Sequence, residues 1–260
     1  MTVLTEPAPT FSEAMTAAST PLVGVFVTLR APAIVEIAGL AGYDYVVVDL
    51  EHSVLSDDDV EQLARAAAST GMYTMVRVID QQPAVIGRVA EAGVDAIMFP
   101  MVETAAQARV CVAAVHHPPR GTRGQSSLSR AAGFATGAGR PAPTCCIEIE
   151  TREGVRNIAE ILAVPGVDMV FLGPGDLRNS LLVDGGTPEE TAAELARLID
   201  AASTATTAAG VALGVPATYP SMRWDVERCR EADVKAVTIG GDVSFLAAAL
   251  RGARTAFVAA

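Results

Sequence analysis

Residues 43–52 read Tyr-Asp-Tyr-Val-Val-Val-Asp-Leu-Glu-His and join an apolar run to a group of polar residues. The run predicts a strand over Tyr43–Asp49. Because Tyr45–Val48 is apolar without interruption, we expect this strand to be buried on both faces, as in a parallel sheet. Met169–Leu172 has the same character. These two runs indicate an α/β protein.

The rest of the chain alternates short β-branched runs with longer stretches of helical periodicity. We predict eight strands, at Leu22–Thr28, Tyr43–Asp49, Tyr73–Val78, Ala96–Pro100, Thr144–Ile149, Met169–Leu172, Val211–Val215 and Ala236–Ile239. We predict eight helices, at Ala33–Leu40, Asp57–Ala68, Ala84–Glu91, Ala105–Val115, Arg152–Leu162, Pro188–Ala208, Met222–Glu231 and Val243–Arg251.

Parallel neighbouring strands need a crossover helix between them. Eight such units in 260 residues favour a closed (β/α)8 barrel, one domain over residues 1–260, above an open doubly wound sheet. No Gly-x-Gly-x-x-Gly follows the first strand, which argues against a dinucleotide-binding fold. One long irregular stretch, His116–Pro143, is expected to be either a functional loop or a surface excursion.

The composition narrows the class of protein. A chain that is 50% hydrophobic and 19% charged can bury a large core, and its net charge of −11 argues against a nucleic-acid or anionic-membrane partner. Met1–Phe11 has no basic residue and no apolar run, so no signal peptide is expected. The four cysteines lack zinc-type spacing. We therefore expect a soluble cytoplasmic protein.

Polar residues gather where the predicted strands end, which is the end of a (β/α)8 barrel that carries the active site. Asp49 and His52 close strand two, and Arg77 closes strand three. Strand five leads through Glu148 to Glu150, and alternate residues of a strand share one face. Two carboxylates on that face are costly unless a positive charge compensates them.

Either Arg77 alone or a metal ion could supply that charge. Glu150 and Asp176, from adjacent strand ends, offer the oxygen ligands that Mg²⁺ or Mn²⁺ prefers. The alternative is an ion-pair network that closes the top of the barrel. For His52 the alternative is a capping or packing role before the next helix.

The ordered set of these segments resembles the HpcH/HpaI family of class II pyruvate aldolases, which includes the 2-keto-3-deoxy sugar-acid aldolases. The segments that carry the resemblance are Phe11–Thr28, Ala38–Tyr45, Asp49–His52, Val76–Val78, Phe99–Val102, Pro118–Gly124, Ile149–Glu153, Gly173–Leu177 and Ile239–Asp242. Together they extend over nearly the whole chain. The resemblance implies reversible aldol cleavage of a 4-hydroxy-2-oxo acid into pyruvate and a small aldehyde, with Mg²⁺, Mn²⁺ or Co²⁺ as the cofactor.

The resemblance also implies roles for single residues. The implied metal ligands are Glu150 and Asp176. The implied pyruvate site holds Arg77, with Glu148 and Gly175 beside it. The implied proton-transfer residue is His52, oriented by Asp49, and Glu91 lies where the family has an aspartate that reaches the neighbouring subunit's site. The family is usually hexameric, a trimer of dimers, with the last helix exchanged between subunits.

Three segments depart from the family pattern. Glu148 stands where glutamine is common, Ile79–Gln82 replaces a Trp-Asn-containing turn, and Ser53–Asp59 replaces a Pro-containing segment. These changes bear on the substrate and on the pH behaviour more than on the reaction class.

Aldol cleavage must stabilise an enolate, through either a lysine Schiff base or a metal acting as Lewis acid. The chain has a single lysine, Lys235, at the start of the eighth strand and hence at the wrong end of the barrel. The metal route is therefore favoured, with His52 taking the proton from the C4 hydroxyl. Two alternatives stay open: a citramalyl- or malyl-type CoA-ester lyase, and a non-catalytic barrel that binds phosphate at Gly240-Gly241.

The sequence gives the least information about the aldehyde part of the substrate. Arg30 directly follows strand one and could form a bidentate pair with a distal carboxylate of the aldehyde. Arg178 is a rival for that role, and the alternative for Arg30 is an ordinary solvated loop arginine.

Overall fold

The computed structural model describes residues 9–183, 185, 187–219 and 222–259, with residues 222 and 223 described for their backbone only. Its strands are β1 (Leu22–Val27), β2 (Tyr45–Asp49), β3 (Tyr73–Arg77), β4 (Ala96–Phe99), β5 (Thr144–Ile149), β6 (Met169–Leu172), β7 (Ala212–Pro216), β8 (Thr218–Tyr219), β9 (Met222–Arg223) and β10 (Val234–Gly241). Eight of them close a parallel barrel in the order β1-β10-β7-β6-β5-β4-β3-β2, and β8 and β9 form a small antiparallel pair. The predicted (β/α)8 barrel is confirmed.

Helices surround the barrel. They are α1 (Phe11–Ala17), α2 (Pro32–Leu40), α3 (Asp57–Ser69), α4 (Pro83–Glu91), α5 (Ala105–Val115), α6 (Arg152–Arg156), α7 (Ile158–Leu162), α8 (Pro174–Val183), α9 (Pro188–Ala208), α10 (Val226–Glu231) and α11 (Asp242–Val258). Thr104 and Thr187 begin α5 and α9 with capping boxes, in which threonine and the residue three positions later satisfy each other's backbone N–H. None of the described helices is long and apolar enough to cross a bilayer.

Large side chains on alternate strand positions fill the lower half of the barrel interior, which lies toward the amino ends of the strands. Tyr45, Met75, Met98 and Phe171 are each at most 1% exposed and belong to this inner core. Helix α1 closes the lower end, with the Phe11 ring 5.3 Å from the Tyr45 ring in an edge-to-face contact. A separate apolar core joins the outer strand faces to the helices.

Close packing explains two glycines on these strands. A Cβ on Gly24 would lie 2.3 Å from Cζ of Tyr45, and one on Gly214 would lie 2.3 Å from Cε of Met169. Both glycines make room for a large inner side chain of a neighbouring strand, so a larger residue at either position would overpack the core.

The structure corrects the helix predictions in five places. The predicted helix Arg152–Leu162 is two helices, α6 and α7, because Asn157 leaves helical geometry and donates its side-chain amide to the carbonyl of Glu103 at 2.9 Å. The predicted helix Met222–Glu231 begins only at Val226, after the N-cap Asp225. Helices α1 and α8 were not predicted, and α11 is longer than the predicted Val243–Arg251.

The His116–Pro143 stretch contains no regular helix or strand, as predicted. It is anchored to the amino end of β4, where Arg130 donates through Nη1 to the carbonyls of Ala92 at 2.8 Å and Gly93 at 2.9 Å.

Candidate active site

Asp49 and Arg77 form the centre of the site. They are the last residues of β2 and β3 and face each other in register. Arg77 donates through Nε to Oδ1 of Asp49 at 3.0 Å and through Nη2 to Oδ2 at 2.7 Å. Burial raises the pKa of Asp49. The hydrogen bonds and charge of Arg77, together with two backbone N–H groups, lower this pKa by more than burial raises it, so the net shift is downward. The pair is a buried, bidentate, charge-assisted contact.

Asp49 also shapes the turn that follows β2. Its Oδ1 accepts the backbone N–H groups of Glu51 at 3.0 Å and His52 at 3.2 Å, and its own carbonyl accepts the hydroxyl of Ser53. The sequence suggested that Asp49 orients His52. The contact in the structure is with the backbone of His52 and not with its ring.

Arg77 has further partners around its guanidinium. Its Nε lies 3.3 Å from Oε2 of Glu51, and its Nη1 lies 3.6 Å from Oε1 of Glu148. The guanidinium carbon lies 5.1 Å from the centre of the Phe26 ring. These contacts fix the plane of the guanidinium at the top of the inner core.

Glu148 and Glu150 lie on the inner face at the end of β5 and are each 2% exposed. They share this space because residue 173 is glycine: a Cβ there would lie 2.7 Å from Cβ of Glu150 and 3.1 Å from Oε1 of Glu148. Burial, and then the charge of Glu150, raise the pKa of Glu148 well above its usual range. Burial raises the pKa of Glu150 to about 7, with added repulsion from Glu51 and Asp176.

A backbone group holds Glu150 in place. The N–H of Met101 donates to Oε1 of Glu150 at 2.7 Å. Met101 has φ of 55°, the left-handed region that non-glycine residues seldom occupy. A strained residue beside a buried carboxylate is typical of a functional site.

His52 and Asp176 lie on the open side of the mouth. Asp176 is in the first turn of α8, and its Oδ2 lies 3.9 Å from Nε2 of His52. The same ring nitrogen lies 3.8 Å from Oε2 of Glu51. The His52 side chain is 56% exposed, so it can reach a substrate that enters from solvent.

Negative charge exceeds positive charge at this mouth. Its carboxylates are Asp49, Glu51, Glu148, Glu150 and Asp176, and Arg77 lies within ion-pair distance of three of them. Within the described part of the chain, Oε2 of Glu51 and Oε2 of Glu148 are buried without a hydrogen-bond partner. Buried carboxylate oxygens that lack hydrogen bonds fit a site for a hydrated divalent cation, as do Glu148 and Glu150, whose pKa is raised first by burial and then by neighbouring carboxylates.

The described residues include no group of three or more His, Cys, Asp or Glu side chains already arranged to hold a metal ion. Mg²⁺ is commonly bound through one or two carboxylates, with water and substrate oxygens completing its shell. Glu150 and Asp176 could serve as those two carboxylates.

A cavity of about 210 Å³ opens above these residues. Its lining includes Asp49, Arg77, Glu148, Asp176, Gly175 and Tyr219. The structure thus brings together most of the residues that the sequence suggested for the site.

Three other residues lie elsewhere. Glu91 ends α4 near the lower end of the barrel, where its Oε1 lies 3.5 Å from Nε of Arg123 beside an outer groove of about 780 Å³. Arg30 is 64% exposed and pairs through Nε with Oδ1 of Asp59 at 2.7 Å, away from the cavity lining. Lys235 pairs with Asp233 at 2.5 Å at the lower end of β10.

Sequence reasoning gave no role to Glu51, Phe26, the Met101 N–H or Tyr219. Glu51 could have been found, because it is two residues beyond Asp49 and so continues the same face of β2. The backbone conformation at Met101 and the path that brings Tyr219 over the mouth depend on tertiary packing and leave no such pattern.

Comparison with known proteins agrees with the barrel fold. Residues 22–249 match the family model for HpcH/HpaI aldolase/citrate lyase. The chain is 34% identical over 240 residues to a hydroxypyruvate/pyruvate aldolase of Agrobacterium fabrum, covering 90% of this chain and 88% of that protein.

It is 40% identical over 164 residues to a 2-dehydro-3,6-dideoxy-6-sulfogluconate aldolase of Pseudomonas putida, a match that spans 61% of this chain and 64% of that protein. Among solved structures, an HpcH/HpaI aldolase/citrate lyase family protein from Burkholderia cenocepacia superimposes with a TM-score of 0.84 at 29% identity, over 95% of this chain and 98% of that one.

Proposed function

The chain belongs to the HpcH/HpaI aldolase/citrate lyase family, and we propose that it is a divalent-metal-dependent aldolase that cleaves a 4-hydroxy-2-oxo acid into pyruvate and an aldehyde. The observation that carries the proposal is the group of buried carboxylates around a single arginine at the catalytic end of a (β/α)8 barrel. A barrel built only for stability has no need to bury Glu148 and Glu150 side by side.

In this proposal Glu150 and Asp176 hold the metal. The Met101 N–H fixes one oxygen of Glu150, which leaves the other free to coordinate. When bound, a divalent cation supplies positive charge for the enolate that forms at the pyruvate unit. The metal would be Mg²⁺, Mn²⁺ or Co²⁺.

Arg77 binds the pyruvate oxygens and stabilises the developing negative charge. Asp49 takes two of its N–H groups, so the guanidinium is oriented before substrate arrives. Arg77 lines the cavity, and its Nη1, 3.6 Å from Oε1 of Glu148, makes no hydrogen bond to Asp49, so we assign this nitrogen to the substrate. Glu148 and Gly175 form the adjoining wall.

His52 is the proposed proton-transfer residue. During cleavage it takes the proton of the C4 hydroxyl, and its Nε2 lies 3.8 Å from Oε2 of Glu51 and 3.9 Å from Oδ2 of Asp176. The only lysine, Lys235, lies at the other end of the barrel and does not reach this cavity, so a Schiff base is not part of the mechanism.

Phosphate binding at Gly240-Gly241 is disfavoured by Asp242, the first residue of α11. Its carboxylate already accepts the backbone N–H groups of Thr28 at 3.0 Å and Leu29 at 2.9 Å. A phosphate at this helix start would therefore meet a buried negative charge.

We also propose a homohexamer in which α11 is exchanged between subunits. Large apolar side chains of this helix are 44–85% exposed, namely Val243, Phe245, Leu246, Leu250, Phe257 and Val258. An exposed apolar helix face of this extent is typical of a surface that packs against another protein chain.

In such a hexamer Glu91 would reach a neighbouring subunit's cavity. If two subunits share each active site in this way, mixing the inactive Glu91→Ala and Arg77→Ala proteins should restore part of the activity. Activity of the mixture no higher than that of the separate variants would contradict sites shared between subunits.

A single domain over the chain and a cytoplasmic location complete the proposal. The location is supported by the four cysteines, which are free and buried.

The experiment that tests the function is oxaloacetate decarboxylation and aldol cleavage with and without EDTA. We expect both activities to vanish on chelation and to return with Mg²⁺, Mn²⁺ or Co²⁺. Turnover only of CoA esters would instead establish a CoA-ester lyase.

A further inference from the structure

A second cavity, of about 280 Å³, lies at the mouth of the barrel beside the acidic one. Its lining is Phe26, Pro216, Thr218, Tyr219, Thr238, Gly240 and Gly241. Three of these residues, Phe26, Pro216 and Tyr219, line both cavities. The two spaces are therefore neighbours, with these three residues between them.

The lining of the second cavity carries no carboxylate, ammonium or guanidinium group within the described residues. Its side-chain polar groups are the hydroxyls of Thr218, Tyr219 and Thr238. Thr218 holds the glycine loop by accepting the N–H of Gly240 at 3.3 Å. Thr238 is 1% exposed and follows Ala236 on the inner face of β10. Apolar walls with a few hydroxyls suit an uncharged, hydroxylated ligand.

The surroundings would not stabilise an anion there. Asp242 is 6% exposed and stands at the start of α11, directly after the lining residue Gly241. Its carboxylate cancels the attraction that this helix start would offer a negative group. Arg30, which could have supplied a positive charge, is paired with Asp59 at 2.7 Å.

We propose that the second cavity holds the aldehyde half of the substrate, and that the enzyme selects short uncharged hydroxyaldehydes over anionic ones. This rests on the proposed function, because the acidic cavity must hold the pyruvate half. The volume of 280 Å³ would take about nine water molecules at ~30 Å³ each, which corresponds to an aldehyde of about three to six carbons.

Tyr219 is the residue that sets how far the aldehyde can extend. Its Cε2 lies 4.0 Å from the Cβ position of Gly175, next to Asp176 on α8, so its ring stands at the junction of the two cavities. A smaller side chain at residue 219 would widen that junction toward longer aldehydes.

The test compares kcat/KM for glyceraldehyde, propionaldehyde and succinic semialdehyde, each condensed with pyruvate. We expect the wild type to prefer glyceraldehyde to succinic semialdehyde by at least about tenfold. Thr238→Val keeps the side-chain shape and removes the hydroxyl, so it should lower kcat/KM for glyceraldehyde about threefold to tenfold relative to propionaldehyde.

Tyr219→Ala, at a partly exposed position, is the second variant, and it should raise kcat/KM for a six-carbon aldehyde relative to propionaldehyde. The matched control is Thr204→Val on the exposed face of α9, which should change none of these ratios.

Exchange of the pyruvate C3 protons with deuterated solvent, without aldehyde, separates the two proposals. If the wild type shows neither exchange nor condensation, the proposed function is wrong. If it shows both but prefers succinic semialdehyde, or if Thr238→Val and Tyr219→Ala change all aldehydes by one factor, the function stands and the aldehyde assignment is overturned.

Discussion

The lower and upper halves of the barrel interior are built on the same faces of the same strands and differ in every chemical respect. On β2, Tyr45 and Val47 fill the lower half, and Asp49, the next residue on that face, belongs to the upper half. On β5 the same step leads from Cys146 to Glu148. The lower half is an apolar plug, whereas the upper half buries carboxylates, and burial first and neighbouring carboxylates second raise the pKa of Glu148 and Glu150.

The difference indicates that the lower half contributes mainly to the stability of the fold and the upper half mainly to activity. The lower half gains from removing apolar surface from water, so loss of volume there should weaken folding. The upper half is held against the repulsion of its own carboxylates, so loss of charge there should weaken activity. Substitutions in the two halves can therefore be told apart by whether stability or turnover changes.

The largest effect is expected in the upper half, from Arg77→Ala. It removes the positive charge shared by Asp49, Glu51 and Glu148 as well as the proposed contact to pyruvate. We expect kcat/KM to fall by about 10³-fold, or ~4 kcal/mol, in steady-state cleavage assays. Arg77→Lys keeps the positive charge but cannot form the bidentate contact with Asp49, so it should recover only a small part of the lost kcat/KM. Activity of Arg77→Ala within tenfold of the wild type would contradict the proposed role.

The next effect belongs to the lower half. Phe11→Ala removes a ring that is 1% exposed and packs against Tyr45. Urea unfolding should show a loss of about 3–5 kcal/mol. The kcat of the folded fraction should stay close to that of the wild type. A large fall in kcat at temperatures where the variant is fully folded would show that the two halves are not independent.

A smaller effect of opposite sign is expected from Tyr45→Phe in the same plug. The Tyr45 hydroxyl is buried, and the described structure shows no hydrogen-bond partner for it. Because an unpaired buried hydroxyl costs about 1–3 kcal/mol, the variant should be as stable as the wild type or more stable. Destabilisation by more than about 1 kcal/mol would mean that the hydroxyl has a partner.

The smallest effect is expected from Lys235→Arg at the lower rim. The ion pair with Asp233 is partly exposed, so its contribution is at most about 1 kcal/mol. Activity of the variant should be unchanged, and borohydride with pyruvate should trap no adduct on the wild-type protein. Mass-spectrometric detection of a reduced adduct on Lys235 would replace the metal mechanism with a Schiff base.

The sequence was sufficient for the barrel, because buried parallel strands leave apolar runs such as Tyr45–Val48 and Met169–Leu172. It missed α8, since Gly173-Pro174-Gly175 has the composition of a turn although Pro174 begins a helix. The helix break at Asn157 was also missed, because it depends on a hydrogen bond to the distant Glu103.

For the candidate site, the strand ends were sufficient to predict that Asp49, Arg77, Glu148 and Glu150 lie together, because inward alternation places them at one mouth of the barrel. The sequence could not predict where the Arg30 side chain points, because its partner Asp59 lies in another unit of the barrel. The second cavity was also beyond it, because Phe26, Tyr219 and Thr238 come from three separate parts of the chain.

The most direct test of the central claim is pyruvate C3 proton exchange, followed by NMR in deuterated water, as Mg²⁺ is added back to chelated protein. The wild type should be inactive when chelated and recover with Mg²⁺. Glu150→Gln should not recover, although its side chain keeps nearly the same size. Full exchange in the chelated wild type, or recovery of Glu150→Gln at the same Mg²⁺ concentration, would contradict the proposal that proton exchange requires a divalent metal, which Glu150 and Asp176 would hold.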